Sequence, residues 1–166
     1  MRHVNLLLFF CLLPLATMLA EEPKRIMESL SMTSVILGQE VNYSIVLPLD
    51  YYNSNKSYPV VYLLHGLGDN ESSWLEYGRI AQLGDAAVAA KEIVPMIFVM
   101  PQGFRNYYVN DYAGSFRYED MFVQELVPFI DKTYRTIPDH THRATMGYSM
   151  GGFGAFMLPA RHQDVF

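Results

Sequence analysis

Cysteine is nearly missing from this sequence. Cys11 is the single one among 166 residues, and Phe9-Phe10 before it lack the small side chains that precede a lipidated cysteine. Disulfide scaffolding, thiolate metal sites and thiol redox chemistry are therefore excluded for everything that follows it. Basic clusters are missing as well. Lys and Arg number 12 against 17 Asp and Glu, a net charge of −5, and no stretch gathers them into a patch, which argues against nucleic acid as a partner. No apolar run is long. Leu6 to Leu15 falls short of the roughly 20 residues a bilayer core demands and contains Pro14, so no stable membrane anchor is expected. Repeats, low-complexity tracts and linkers between domains are absent too, which leaves a single domain.

What is present begins with a leader. Arg2 supplies a positive start, the apolar run follows, and Met18-Leu19-Ala20 ends in a small residue before Glu21. That is the layout of a cleaved secretory signal peptide over residues 1–20, and it predicts a secreted or periplasmic protein. Cys11 and Arg2 would leave with it, so the mature chain has no thiol and a net charge of about −6. Its stability must come from burial, for which 51% hydrophobic and 14% aromatic residues suffice. Asn55-Lys56-Ser57 and Asn70-Glu71-Ser72 match the glycosylation triplet, which matters only in a host that glycosylates.

The hydrophobic periodicity predicts alternating strands and helices. Ser34 to Leu37 and Val41 to Leu47 read as a hairpin around Gly38-Gln39-Glu40, the second strand placing Val41, Tyr43, Ile45 and Leu47 on one face. Asp50 to Pro59 reads as a surface connection. Val60 to Leu64 is apolar throughout, as a strand covered on both faces must be. Ile80 to Ala90 reads as a helix, Met96 to Met100 as a strand stopped by Pro101, and Gln102 to Ser115 as a long loop. Phe122, Leu126, Phe129 and Ile130 share a helix face, with Pro128 bending the helix. Thr136 to His142 turns the chain, Arg143 to Gly147 is a short strand, and a final helix runs from Gly151 to about His162. Strands alternating with helices specify the α/β class and parallel pairing.

Between the last strand and the last helix stands Gly147-Tyr148-Ser149-Met150-Gly151, a G-x-S-x-G pattern. In that context it describes a nucleophile elbow, a serine on a strained turn too crowded for side chains two positions either side. The unpaired N–H groups at the helix start favour negative charge beside it. The competing reading is a glycine-rich turn whose serine merely caps the helix. His65-Gly66-Leu67-Gly68, directly after an apolar strand, favours the elbow, because a second oxyanion donor comes from a glycine-rich loop in that position. Ser149 is thus the candidate nucleophile, and the backbone N–H groups of Leu67 and Met150 the candidate oxyanion donors. The His65 side chain reads as a strand-end group bonded to nearby backbone.

Four ordered segments, YPVVYLLHGLGDNESSW, FVMPQG, FRYEDMFVQELVPFIDKTYRT and MGYSMGGFGA, resemble the esterase family of α/β-hydrolases that includes feruloyl and other polysaccharide esterases, S-formylglutathione hydrolases and mycolyltransferases. The resemblance runs from Ser34 to Phe166. It implies an α/β-hydrolase fold, here its N-terminal part: a mostly parallel sheet with an N-terminal antiparallel hairpin and helices on both faces. It also implies ester substrates, with acyl groups on plant polysaccharide favoured by the leader, and neither cofactor nor metal. Asp111 and Tyr108, in the loop segment YYVNDY, would lie near the substrate pocket. Packing is the other reading of Tyr107, Tyr108 and Tyr112.

One part of the pattern is missing. A serine hydroxyl needs a histidine to take its proton and an acid to orient that histidine, and in this fold they follow the serine, acid first. Only His162 and Asp164 follow Ser149. They sit about 13 to 15 positions on along one helix, on the order of 20 Å away, and His162 reads as a surface residue at a helix C-terminus. His140 and His142 precede the strand, at the sheet end opposite the elbow. The sequence is therefore expected to be a portion of a longer esterase whose acid and base lie elsewhere, poorly soluble on its own because its last strand has an open edge. Acyl transfer to a sugar hydroxyl and a non-catalytic carbohydrate-binding remnant are the alternative functions.

Overall fold

A computed structural model of the protein describes residues 23–166. The signal peptide assigned to residues 1–20, and Cys11 with it, lies outside the described residues. Five strands form one sheet: β1 (Ile26–Ser34), β2 (Gln39–Val46), β3 (Val60–Leu64), β4 (Ile97–Pro101) and β5 (Arg143–Gly147), in the order β1-β2-β4-β3-β5. β2 is antiparallel to β1 and to β4, whereas β3 runs parallel to both β4 and β5. The parallel strands therefore end at the same edge of the sheet, where loops gather and ligands bind in open α/β sheets.

Alternation along the strands divides the core. Val60, Tyr62 and Leu64 of β3 face one side with Val41, Tyr43, Ile45 and Leu47, while Leu63 faces the other with Val46, Phe98 and Met100. Helices α1 (Ser73–Glu76) and α2 (Ile80–Ala89) follow β3, and α2 covers the second side with Ile80 and Ala81. Helices α3 (Tyr118–Met121) and α4 (Val127–Thr133) follow β4, α5 (Met150–Arg161) follows β5, and these, with residues 122–126 between α3 and α4, cover the first side through Phe122, Leu126, Ile130 and Leu158. Full burial of that aliphatic and aromatic set is the main favourable term, at roughly 1.5–3 kcal/mol per side chain. Among the described residues β5 pairs with β3 alone, and along it Ala144 and Met146 are exposed.

Three expectations need correction. The first strand of the hairpin is Ile26–Ser34, and residues 35–37 lie in the turn. Their apolar side chains misled the periodicity, because the N–H groups of Val35 and Ile36 bind the Glu125 carboxylate, each at 3.0 Å, instead of a ladder partner. Gly38, at φ 66°, closes that turn in a backbone region that favours glycine. The 50–59 connection is not wholly on the surface either. Tyr51 and Tyr58 are buried, Tyr58 exchanges backbone bonds with Arg135 and Ile137, and the Arg135 guanidinium lies 3.8 Å over the Tyr51 ring. Finally, the helix around Pro128 is not simply bent. Between α3 and α4 the register widens into a π-type turn, residues 122–126, in which the Val127 N–H reaches the Phe122 carbonyl. Pro128 then falls in the first turn of α4, directly after the π-type turn, where the wider register accommodates a residue without an N–H.

Candidate active site

Ser149 follows β5 directly and precedes α5. Its side chain is exposed, and its backbone sits at φ 52°, ψ −121°, a region sparsely used by residues with a Cβ. The flanking glycines explain how the turn closes. A Cβ on Gly147 would lie 2.3 Å from the Gly151 carbonyl oxygen, and one on Gly151 would lie 2.1 Å from the Leu64 carbonyl oxygen and 2.8 Å from that of His65. The first turn of α5 is therefore pressed against the end of β3, and no side chain fits between them. Gly152, whose Cβ would meet nothing closer than 3.5 Å, is under no such constraint.

The same contact brings the two glycine motifs together. Gly147 pairs with Leu64, so the loop that starts at His65 lies beside the elbow. Tyr148 packs over Gly66, where a Cβ would come within 2.8 Å of its ring, and its hydroxyl donates to Asp69. Trp74 meets the Tyr148 ring edge to face at 5.4 Å. Leu67 is exposed, and its N–H has no hydrogen-bond partner among the described residues. Met150 opens α5, so its N–H has no acceptor within the helix. Both candidate donors are thus unpaired beside an exposed serine hydroxyl.

His65 is buried and fully engaged. Its Nδ1–H donates to the Gly66 carbonyl at 2.8 Å, and the Gly103 N–H lies 2.7 Å from its Nε2. Its side chain bonds nearby backbone, as the strand-end reading expects. Tyr108 departs from its assignment to the substrate pocket. It is completely buried, wedged between Gly103 and Gly154, where any Cβ would come within 2.4 Å and 2.6 Å of its atoms, and its hydroxyl donates to the His65 carbonyl at 2.9 Å. Burial raises its pKa far above the phenol range. Tyr108 holds the loop in place and offers no surface to a substrate. Asp111 is half-buried and binds the Phe116 N–H at 3.0 Å and the Ser115 hydroxyl, bonds that hold its carboxyl below the usual range. It shapes its own loop.

No histidine among the described residues bonds to the Ser149 hydroxyl. His142 pairs with Asp139 at the other end of β5. His162 is not the surface residue expected: only 24% of its side chain is exposed, and its Nε2 lies 2.8 Å from the buried Glu119 carboxylate. Sequence reasoning missed Glu119, a carboxylate buried in the first turn of α3. A cleft of about 340 Å³ lined by Ser73, Trp74, Tyr77, Gly78 and Tyr148 opens beside the elbow.

A family model described as "Putative esterase" matches residues 34–166. The chain belongs to this esterase family. It is 34% identical over 136 residues to an endo-1,4-beta-xylanase/feruloyl esterase of Xylanibacter ruminicola, covering 78% of this chain and 19% of that protein. An esterase of Mycobacterium tuberculosis is 33% identical over 134 residues, covering 78% and 28%. Among solved structures, a ferulic acid esterase superimposes with a TM-score of 0.76 at 36% identity, covering 82% of this chain and 55% of that one. An S-formylglutathione hydrolase from Staphylococcus aureus shares the fold, with a TM-score of 0.69 at 22% identity, covering 85% and 54%. This esterase chain therefore spans about half the length of those structures and less than a third of those two curated relatives. Its mixed sheet and flanking helices are part of an α/β-hydrolase fold.

Proposed function

We propose that this chain carries the nucleophile and the oxyanion hole of a serine carboxylic-ester hydrolase. The observation that supports it most is Ser149, exposed at φ 52° on a turn whose glycines exclude every side chain. In this reading the Ser149 Oγ attacks the ester carbonyl, and the carbonyl oxygen, now negative, accepts from the Leu67 and Met150 N–H groups. A general base takes the hydroxyl proton and returns it to the leaving alcohol. Water then attacks the acyl-enzyme while the same base takes its proton and passes it to the departing Ser149 oxygen, which releases the acid and restores the hydroxyl. The base and its orienting acid are not paired with Ser149 among the described residues, and the reading assigns them to polypeptide outside residues 23–166.

The relatives at 34% and 36% identity, whose names specify feruloyl and ferulic acid esterases, support a choice of substrate class. We assign this protein to esters of aromatic acids on plant polysaccharide, acted on outside the cytoplasm after export by the leader. The cleft walled by Trp74, Tyr77 and Tyr148, one residue from the nucleophile, gives aromatic or sugar rings a surface on which to stack. The test compares full-length protein with its Ser149→Ala variant on p-nitrophenyl acetate and methyl ferulate. Turnover of both should fall at least about 1000-fold in the variant. Turnover that does not depend on Ser149 would overturn the proposal.

A further inference from the structure

The Gly66–Leu67 peptide is held from one side by two donors. The Gly66 carbonyl accepts from His65 Nδ1–H at 2.8 Å and from the Asp69 N–H at 3.2 Å. A carbonyl oxygen only accepts, so Nδ1 carries the proton whatever the state of the other ring nitrogen. The peptide is planar and trans, so fixing its C=O also fixes the Leu67 N–H, which points the opposite way. These bonds orient the donor but do not set its distance from Ser149. That distance depends on what ties the loop to the elbow.

One side-chain bond spans the two: the Tyr148 hydroxyl donates to Asp69 Oδ2, across 79 positions of sequence. Tyr148 precedes Ser149, and Asp69 is the residue whose N–H holds the Gly66 carbonyl. The Tyr148 ring closes on Gly66 because glycine leaves room for it, and Trp74 meets that ring edge to face. Burial and the Asp69 bond both raise the Tyr148 pKa, so the hydroxyl keeps its proton to donate. We propose that Tyr148 and Asp69 are positioning residues whose hydrogen bond sets the spacing between the Leu67 N–H and the Ser149 Oγ. The inference rests on the roles proposed above for Ser149 and Leu67. Neither residue touches the reacting atoms, and neither is fixed by the G-x-S-x-G pattern, which leaves position 148 open.

The test uses Tyr148→Phe, which keeps the ring and removes only the hydroxyl, with Asp69→Ala and Asp69→Asn. Losing an oxyanion donor outright costs about 100-fold to 1000-fold in turnover, so a donor displaced but present should cost about 10-fold. For p-nitrophenyl acetate, kcat should fall by that factor in Tyr148→Phe and Asp69→Ala with KM unchanged. Asp69→Asn, which keeps an acceptor, should retain most of the wild-type value. The order parameter of the Leu67 backbone amide, read by 15N NMR relaxation, should fall in the first two variants and not in the third. Unchanged kcat and an unchanged order parameter, or a raised KM with kcat intact, would overturn the brace. If Ser149→Ala shows that turnover does not need the serine, the hydrolase reading fails separately. The Leu67 order parameter then decides alone: a lower value in Tyr148→Phe upholds the coupling of loop to elbow, and no change refutes it.

Discussion

Replacing Gly151 by alanine adds one methyl group at the tightest point of the molecule. The new Cβ would lie 2.1 Å from the Leu64 carbonyl oxygen and 2.8 Å from that of His65. Both obstacles are backbone, and Leu64 is locked in the ladder with Gly147, so α5 must move away by about 1 Å to restore ordinary contact. Overpacking of this kind costs about 1–3 kcal/mol. For a domain of this size each kcal/mol lowers Tm by about 2–4 °C, so Gly151→Ala should melt roughly 2–12 °C below wild type by circular dichroism. A displacement of 1 Å also costs about 100-fold in a reaction that depends on alignment, and Ser149 sits two residues away. Gly152→Ala is the internal control. Its Cβ would meet nothing nearer than 3.5 Å, and alanine is the better helix former by about 1 kcal/mol, so that variant should be as stable as wild type or more so. Equal melting temperatures for the two variants would refute the claim that close approach of backbone, rather than glycine flexibility, dictates the motif.

Tyr108→Phe should keep the wedge between Gly103 and Gly154 but leave the His65 carbonyl without its buried donor; a loss of about 1–2 kcal/mol in chemical denaturation is expected, and no loss would mean that packing alone fixes the loop. Acid should destabilise the fold. Asp50 is held below its usual range by Lys56, Asp111 by the Phe116 N–H and Ser115, Asp120 by Asn110 and Arg117, and Asp139 by Thr141 and His142. A lowered folded-state pKa contributes stability that is present above the unfolded value near 3.9 and lost as pH falls through the folded value. The melting temperature should therefore be level between about pH 6 and 7 and fall progressively below about pH 4; a level profile down to pH 3 would contradict those four assignments.

The elbow was legible in the sequence because exclusion of a Cβ can be met only by glycine, so the contacts of Gly147 and Gly151 are written directly in residue type. The parallel strands were legible for a similar reason: Val60 to Leu64 and Ile97 to Met100 have core on both sides and carry apolar residues without alternation. What escaped were features settled by partners far along the chain. Val35 and Ile36 look like strand until Glu125, about ninety positions away, takes their N–H groups. Tyr108 looks like a loop aromatic available to substrate until Gly103 and Gly154 close on either face of it. His162 looks exposed until Glu119 is placed beside it. Local pattern reports what a residue's neighbours in sequence demand, and these residues answer to neighbours in space.

The central claim is that Ser149 presents its hydroxyl to a space into which the Leu67 and Met150 N–H groups both point. The most direct measurement is a crystal structure of the full-length protein after reaction with a fluorophosphonate. The prediction is a single phosphonyl adduct on Ser149 Oγ, with its phosphoryl oxygen about 2.7–3.1 Å from both backbone nitrogens. An adduct on another residue, no adduct at all, or a phosphoryl oxygen turned to solvent away from Leu67 and Met150 would contradict it.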